Sequence, residues 1–318
     1  MTNITATMVK DLRDKTGAGM MDCKAALGET AGDMEAAIDW LRKKGLSKAA
    51  KKAGRVAAEG LIGVAVGGDA GALVEVNAET DFVARNDQFK EFVKSAAAIA
   101  LAEAGDMEKL LAKPMNGGAS VKDTLTDMVA KIGENMSVRR TISLSVSPGV
   151  VASYVHNAAS PELGKIGVLV ALKSTADKDK LQALGKQLAM HIAAAAPLAL
   201  TPEHLPQDVV ERERAVQADI ARQSGKPENV IEKMLEGRMR KFYEESVLMS
   251  QTFVIDGETQ IAKVLEKASK DLGAPVAIDA FVRFQVGEGI EKVESDFADE
   301  VAKMSGTKKD DGGDKEDA

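Results

Sequence analysis

One order of elements, strand pair, helix, helix, strand, runs through this sequence twice. In the first run, residues 61–66 and 72–76 are apolar, and Gly67-Gly68-Asp69-Ala70-Gly71 between them is a turn, which predicts a β-hairpin. A helix follows from Asp87 with Phe89, Phe92, Val93 and Ala96 on one face, and a second spans 121–132. Residues 141–146 then alternate apolar and polar, as a half-buried strand does. In the second run, strands over 150–156 and 166–172 are joined by a longer loop containing Pro161. Helices over 179–195 and 259–272 and an alternating strand over 281–286 complete the set. The pattern predicts an α+β protein whose core is two related subdomains, 56–147 and 148–200 plus 250–287. Each is expected to be an antiparallel three-stranded sheet with helices on one face.

The second run is interrupted. Pro206 opens a helix with Val209, Val216 and Ile220 inward, and Ser224-Gly225-Lys226-Pro227 turns the chain. A return helix sets Ile231, Leu235, Arg238 and Phe242 at heptad-like spacing. Residues 201–249 therefore read as an inserted antiparallel coiled-coil hairpin, an arm for contact or dimerisation. Residues 1–55 read as a domain of three short helices. One lies around Val9 and Leu12, one over 23–27, and Thr16-Gly17-Ala18-Gly19 separates them. The third is capped by Asp33, lined by Met34, Ala37, Ile38 and Leu41, and stopped by Gly45. Residues 288–318 close the chain, and their last part, 308–318, has the composition of a disordered tail.

Charge and chemistry exclude several classes. Lys and Arg total 42 against 49 Asp and Glu, a net charge of −7, which argues against a generally basic nucleic-acid binder. Aromatic residues make up 3%, leaving few rings for base stacking. Lys43, Lys44, Lys48, Lys51, Lys52 and Arg55 still form a local basic run. It reads either as a phosphate-binding stripe or as a solvated helix between domains, and the lack of interleaved rings favours the second. Cys23 is the single cysteine, so there is no internal disulfide framework, and beside Met20, Met21 and Leu27 it reads as a small core residue. No apolar run reaches the ~18 residues of a membrane span, and residues 1–10 lack a signal-peptide core. A soluble cytoplasmic chain without membrane contact is expected.

Enzyme motifs are missing. There is no phosphate-cradling GxxxxGK[ST], and Gly17 and Gly19 follow no strand. His156, His191 and His204 make no close metal pair, and His191 lies in an apolar helix as a structural residue would. Nothing assembles a nucleophile, a base and an orienting group. The expectation is a binding protein with no catalytic residue, cofactor or metal of its own.

Residues 77–86, Asn-Ala-Glu-Thr-Asp-Phe-Val-Ala-Arg-Asn, stand apart. They join a strand end to a helix, where polar turn residues are usual, yet they carry Phe82 and Val83. Phe82 reads either as a lid folded onto the core or as an exposed apolar wedge of the kind that anchors protein interfaces.

Residues 9–24, Val-Lys-Asp-Leu-Arg-Asp-Lys-Thr-Gly-Ala-Gly-Met-Met-Asp-Cys-Lys, closely resemble the N-terminal signature of the bacterial elongation factor Ts family. So does Thr80-Asp81-Phe82-Val83. Further matches are Lys131-Ile132-Gly133-Glu134-Asn135, the Ser224–Pro227 turn, Glu236-Gly237-Arg238-Met239, and residues 286–294. The resemblance implies an N-terminal three-helix domain of UBA-like type, a two-subdomain core, a coiled-coil hairpin and a C-terminal module. It also implies a guanine-nucleotide exchange factor that acts on elongation factor Tu, GDP-bound or nucleotide-free, through protein contacts alone. In that family pattern Asp81 and Phe82 enter the GTPase near its switch region and dislodge its Mg²⁺, with Phe82 as wedge, Asp81 as competing polar group, and Thr80 and Val83 holding the loop. Arg13, Met20 and Met21 would face the GTPase domain, although periodicity alone makes the two methionines core. Ile132, Gly133, Glu134 and His156 match further interface positions, but here His156 is followed by a loop, 157–165, longer than the short form of the family has. A homodimer, or an assembly of two copies of each protein, is compatible with the hairpin. The alternative from another class is an RNA-binding accessory factor using residues 43–55, and a hydrolase would need an acid–base pair that the sequence lacks.

Overall fold

This computed structural model describes residues 4–16, 18–223, 225 and 227–291. The positions of Gly17, Ser224 and Lys226, and the C-terminal module and tail beyond residue 291, lie outside the described residues. The chain divides into one unit ending at Glu288 and a second beginning at Gly289.

Helices α1 (Ala6–Thr16), α2 (Met20–Glu29) and α3 (Met34–Lys52) bury Val9, Leu12, Cys23, Ala26, Leu27 and Ala37 against one another. The Asp33 carboxylate accepts from the Ala36 amide at 2.9 Å, satisfying one of the free donors at the start of α3. Gly45 does not stop this helix, which runs on to Lys52. Gly45 is instead where α3 crosses a later helix: a Cβ there would lie 3.3 Å from Ala130 Cβ. The basic run is therefore the second half of α3. Its Lys44 and Lys48 bind Asp22 of α2 at 3.0 and 2.9 Å, and these bonds hold the Asp22 carboxyl below its ordinary range.

The first sheet follows. β1 (Glu59–Gly67) and β2 (Ala70–Ala78) form a hairpin in register Glu59↔Ala78 to Gly67↔Ala70, with Gly68 in the left-handed region the tight turn needs. Then come α4 (Asp81–Arg85), α5 (Asp87–Ala102), α6 (Met107–Ala112), α7 (Val121–Ile132) and β3 (Met136–Ser145). β3 pairs antiparallel with β2, with a bulge at Glu75/Val76. α5 lays Phe89, Phe92, Val93 and Ala96 on the hairpin, all buried, and Gly63 leaves room for Val93.

The second sheet is built from β4 (Gly149–His156), β6 (Ile166–Lys173) and β7 (Ala277–Gln285), antiparallel in the order β4-β6-β7. Between β4 and β6 the residues of the long loop supply β5 (Leu163–Gly164), which pairs with Ile62 and Gly63 of β1. The first sheet thus has four strands, β3-β2-β1-β5, where three were expected, because the loop folds back over part of the exposed edge of β1. α8 (Lys178–Ala195) covers the second sheet, and Gly185 lets it approach Ala152. The remaining faces of the two sheets meet: Ile62, Val64 and Leu73 pack with Val151, Leu169, Ala171 and Phe284. Each sheet therefore has helices on one side and its counterpart on the other, which accounts for strands such as Leu61–Val64 being buried on both faces.

α9 (Gln207–Arg222) and α10 (Glu228–Ser246) pack as an antiparallel pair, Arg238 donating to Gln217 at 2.8 Å, before α11 (Ile261–Leu272) returns to the second sheet. Val216 and Ile220, expected inward, are 46% and 42% exposed. At the base of the pair Val210 packs with Ala199, Leu205 and Val247 beside Phe242 and Tyr243. That anchor turns α9 by about 100°, one residue, so that Gln217 and Ala221 line the seam instead. Among the described residues no helix is long and apolar enough to cross a membrane.

Candidate partner-binding site

The residues between β2 and α5 do not form a loop but one turn of helix, α4. Thr80 precedes it in extended conformation, and Asn86 ends it while accepting from the Gln88 and Phe89 amides to start α5. With polar brakes at both ends, the turn has little freedom. Its two sides differ sharply. Val83 and Ala84 are each 4% exposed and belong to the core under β1 and β2, whereas Phe82 is 75% exposed. Phe82 is therefore not a lid on that core.

Asp81 and Phe82 share a neighbour, Arg85, that the loop-like sequence pattern does not mark. Arg85 donates to the Asp81 carboxylate at 2.6 Å, and its guanidinium carbon lies 5.9 Å from the Phe82 ring centroid. The i, i+4 spacing of Asp81 and Arg85 was the available signal, hidden because the segment reads as loop rather than helix.

Thr80 is joined to another of the expected positions. Its amide and hydroxyl donate to the two oxygens of Glu134, at 3.0 and 2.8 Å. Glu134 follows Gly133, which ends α7 in left-handed conformation at φ 85°, and Ile132, which packs half-buried on the first core. The Asn135 amide donates to Glu79 at 2.5 Å, and its side chain donates to the Arg55 carbonyl at 2.7 Å, just beyond the end of α3. Residues 80–83 and 132–134 thus form one cluster at the end of the first sheet.

The other expected positions lie on separate elements. Met20 and Met21, 59% and 76% exposed, occupy the first turn of α2, while Cys23, Ala26 and Leu27 supply its buried face, so the two methionines are not core. Arg13 is exposed and, with Met20, lines a groove of 720 Å³ whose far wall includes Asp127 and Lys131 of α7. Burial raises the Asp127 carboxyl above its ordinary range. α7 therefore borders this groove along its last turns and presents Ile132 to Glu134 at its end. His156 is exposed at the end of β4, 3.2 Å from the Tyr154 hydroxyl. The loop after it closes onto β1, with the Lys165 amide returning to the His156 carbonyl at 3.1 Å. His191, by contrast, is fully buried: Nδ1 accepts from the Val254 amide at 3.2 Å, so the proton sits on Nε2, 2.9 Å from Gln251 Oε1. Among the described residues no group of His, Cys, Asp and Glu could hold a metal ion.

The chain resembles known proteins over nearly its whole length. The family model described as elongation factor TS matches residues 79–288. Elongation factor Ts of Rhodospirillum rubrum is 63% identical over 304 residues, covering 95% of this chain and 98% of its own length. Elongation factor Ts of Rhodospirillum centenum is 61% identical, covering 96% and 100%. That of Paramagnetospirillum magneticum is 62% identical, covering 97% and 99%. At these identities and coverages, the chain belongs to the elongation factor Ts family.

Proposed function

We propose that this protein is a guanine-nucleotide exchange factor for elongation factor Tu, working in the cytoplasm during translation elongation, and that α4 is its working part. The observation that carries this reading is the exposure of Phe82 on a helical turn whose opposite side is buried. A large apolar ring held outward on a rigid mount is a poor arrangement for a free protein and a good one for entering a partner.

Exchange requires no covalent step. A GTPase holds GDP through loop amides and a Mg²⁺ that bridges phosphate and protein oxygens. A protein that binds the form in which those contacts are broken lowers GDP affinity by the same factor by which GDP lowers its own. In this reading Phe82 wedges beside the switch region of elongation factor Tu, Asp81 competes for polar groups around the Mg²⁺, and Val83 anchors the turn in the core. Arg13, Met20 and Met21 extend the contact from α1 and α2, with Ile132, Gly133 and His156 at its margin. We read the two sheets, ordered β3-β2-β1-β5 and β4-β6-β7, as related halves of the core that share the hairpin-then-third-strand sequence β1-β2-β3 and β4-β6-β7, and α9 with α10 as a coiled-coil arm inserted in the second. We divide the chain at 55, 147, 200, 249 and 287, a division that the order of elements supports, and a homodimer or an assembly of two copies of each protein is compatible with the hairpin. An RNA-binding role for residues 43–55 is disfavoured because Lys44 and Lys48 are already bound to Asp22.

The test is release of a fluorescent GDP analogue from elongation factor Tu. Acceleration by the wild type, lost in Asp81→Ala and Phe82→Ala variants of unchanged circular dichroism, is expected. Equal acceleration by all three would move the working contacts away from α4, and no acceleration by the wild type would end the exchange reading.

A further inference from the structure

A single helical turn has no stability of its own, because nucleation fixes several dihedrals for one hydrogen bond. The direction in which α4 points must therefore be imposed from outside. Burial of Val83 and Ala84 holds one side. The start of the turn is held differently. Thr80 stands in the N-cap position, where a threonine hydroxyl ordinarily accepts from an amide one turn on, yet it makes no such bond. Its hydroxyl and its amide both go to Glu134.

We infer that Glu134 is a positioning residue for nucleotide exchange, which fixes Thr80 in extended conformation and thereby sets which side of α4 faces outward; the inference rests on the exchange reading above. Both carboxylate oxygens are engaged by Thr80, so Glu134 has been assigned its work inside the protein rather than at the partner surface. Bonds to an ionised acceptor are the stronger kind, and two from one residue fix its orientation as well as its distance. The consequence is large, since starting the turn one residue later would rotate every side chain by about 100° and could exchange the places of Phe82 and Val83. The reciprocal bond from the Asn135 amide to Glu79 closes the clasp, and the Asn135 side chain ties it to Arg55 after α3. Residues 134 and 135 therefore hold α4 to the end of α3, whose Met34, Ile38 and Leu41 pack against the N-terminal core.

The test compares Glu134→Ala, Glu134→Gln, Thr80→Ala and the Thr80→Ala/Glu134→Ala pair in two measurements. In the free protein, Glu134→Ala should speed amide hydrogen exchange at residues 80–85 while α5 keeps its protection, which also shows the variant folded. In GDP release, the same change should lower the rate at saturating factor roughly tenfold, the weight of one charge-assisted hydrogen bond. Half-saturation should move less, and Glu134→Gln, which keeps one acceptor oxygen, should recover part of the loss. The pair should cost less than the sum of its two single changes. Unchanged protection at 80–85, or strictly additive losses in the pair, would overturn the inference and make Glu134 a direct contact. Absence of GDP release by the wild type would overturn the exchange reading itself, and the amide measurement on free protein distinguishes that failure from a failure of the clasp.

Discussion

Arg85 holds the Asp81 carboxylate at 2.6 Å while its guanidinium lies toward the Phe82 ring, 5.9 Å from guanidinium carbon to ring centroid. One side chain thus keeps both proposed working groups in a single arrangement before any partner arrives. The ion pair is exposed, at 74% and 43% of the two side chains, so its weight in folding is small. Arg85→Ala should leave unfolding free energy within about 0.5 kcal/mol of wild type by urea denaturation. Ordering of Asp81 and Phe82 would then be deferred to binding, at about 0.5–1 kcal/mol for a mobile side chain, which lowers exchange efficiency roughly two- to fivefold. Gain of exchange activity in this variant would mean that Arg85 restrains Asp81 rather than prepares it.

Phe82→Ala should separate function from stability. With the ring 75% exposed, its loss removes little from the folded core, and the thermal midpoint should hardly move. Burial of that ring in a partner is worth about 2–3 kcal/mol, so exchange efficiency should fall roughly thirty- to 150-fold. Val83→Ala, on the opposite side of the turn, should do the reverse in the first measurement by opening a cavity beneath the hairpin, costing about 1–3 kcal/mol of stability.

These two neighbours also mark where the sequence stops being legible. The face of α5, the Asp33 cap and the turn at Gly68 depend on residues a few positions apart, and local patterning carries them. Which of Phe82 and Val83 faces outward depends on a bond from Thr80 to Glu134, far along the chain. Gly45 fails for the same reason: a glycine that ends a helix and one that lets two helices touch look alike until Ala130 is in place. The rotation of α9 is set at its base by Val210 against Ala199 and Val247, so Val216 and Ile220, expected inward, face outward. β5 has only Leu163 and Gly164, too short to carry a period.

His191 should make stability fall on acidification from neutrality. Desolvation lowers its folded pKa from the ordinary 6.5, against a smaller upward effect of Gln251. As pH falls through 6.5, the unfolded chain therefore takes up the proton before the folded one does, and the equilibrium moves toward unfolding. Protonation would also put a proton on Nδ1, which now accepts from the Val254 amide. The loss should approach 1.4 kcal/mol per pH unit below about 6.5, until the folded group titrates. His191→Asn should cost about 1–3 kcal/mol at pH 7.5 and flatten that slope, as read by denaturant titrations from pH 7.5 to 5. An unchanged slope would assign the acid sensitivity to other groups.

Glu75 is a fully buried carboxylate in the apolar stretch Leu73-Val74-Glu75-Val76 of β2, and its neighbours explain why it is tolerated. It accepts from Arg139 at 3.1 Å, from Arg140, from Asn77 at 3.0 Å and from the Gly287 amide at 2.8 Å. Arg140 also covers the Phe284 ring at 4.1 Å and donates to the Gln285 carbonyl, so the carboxylate ties the first sheet to the end of β7. Burial alone would raise the Glu75 carboxyl, but the bonds from Gly287, Arg140 and Asn77 outweigh it and hold the group below its ordinary 4.5. Its stabilising effect is thus complete above about pH 4.5 and is lost as pH falls through the folded value, because the unfolded chain binds the proton first. Glu75→Gln keeps the shape but removes the anion that Arg139 and Arg140 share, while Arg140 keeps its bond to Glu288. Since the two arginine side chains are only 28% and 31% exposed, the cost at pH 7 should be about 3 kcal/mol, the lower end for breaking a buried pair. Denaturant titrations should show the gap between variant and wild type closing as pH falls from 5 toward 3. A gap that stays constant over that range would place the loss in packing rather than in the charge of Glu75.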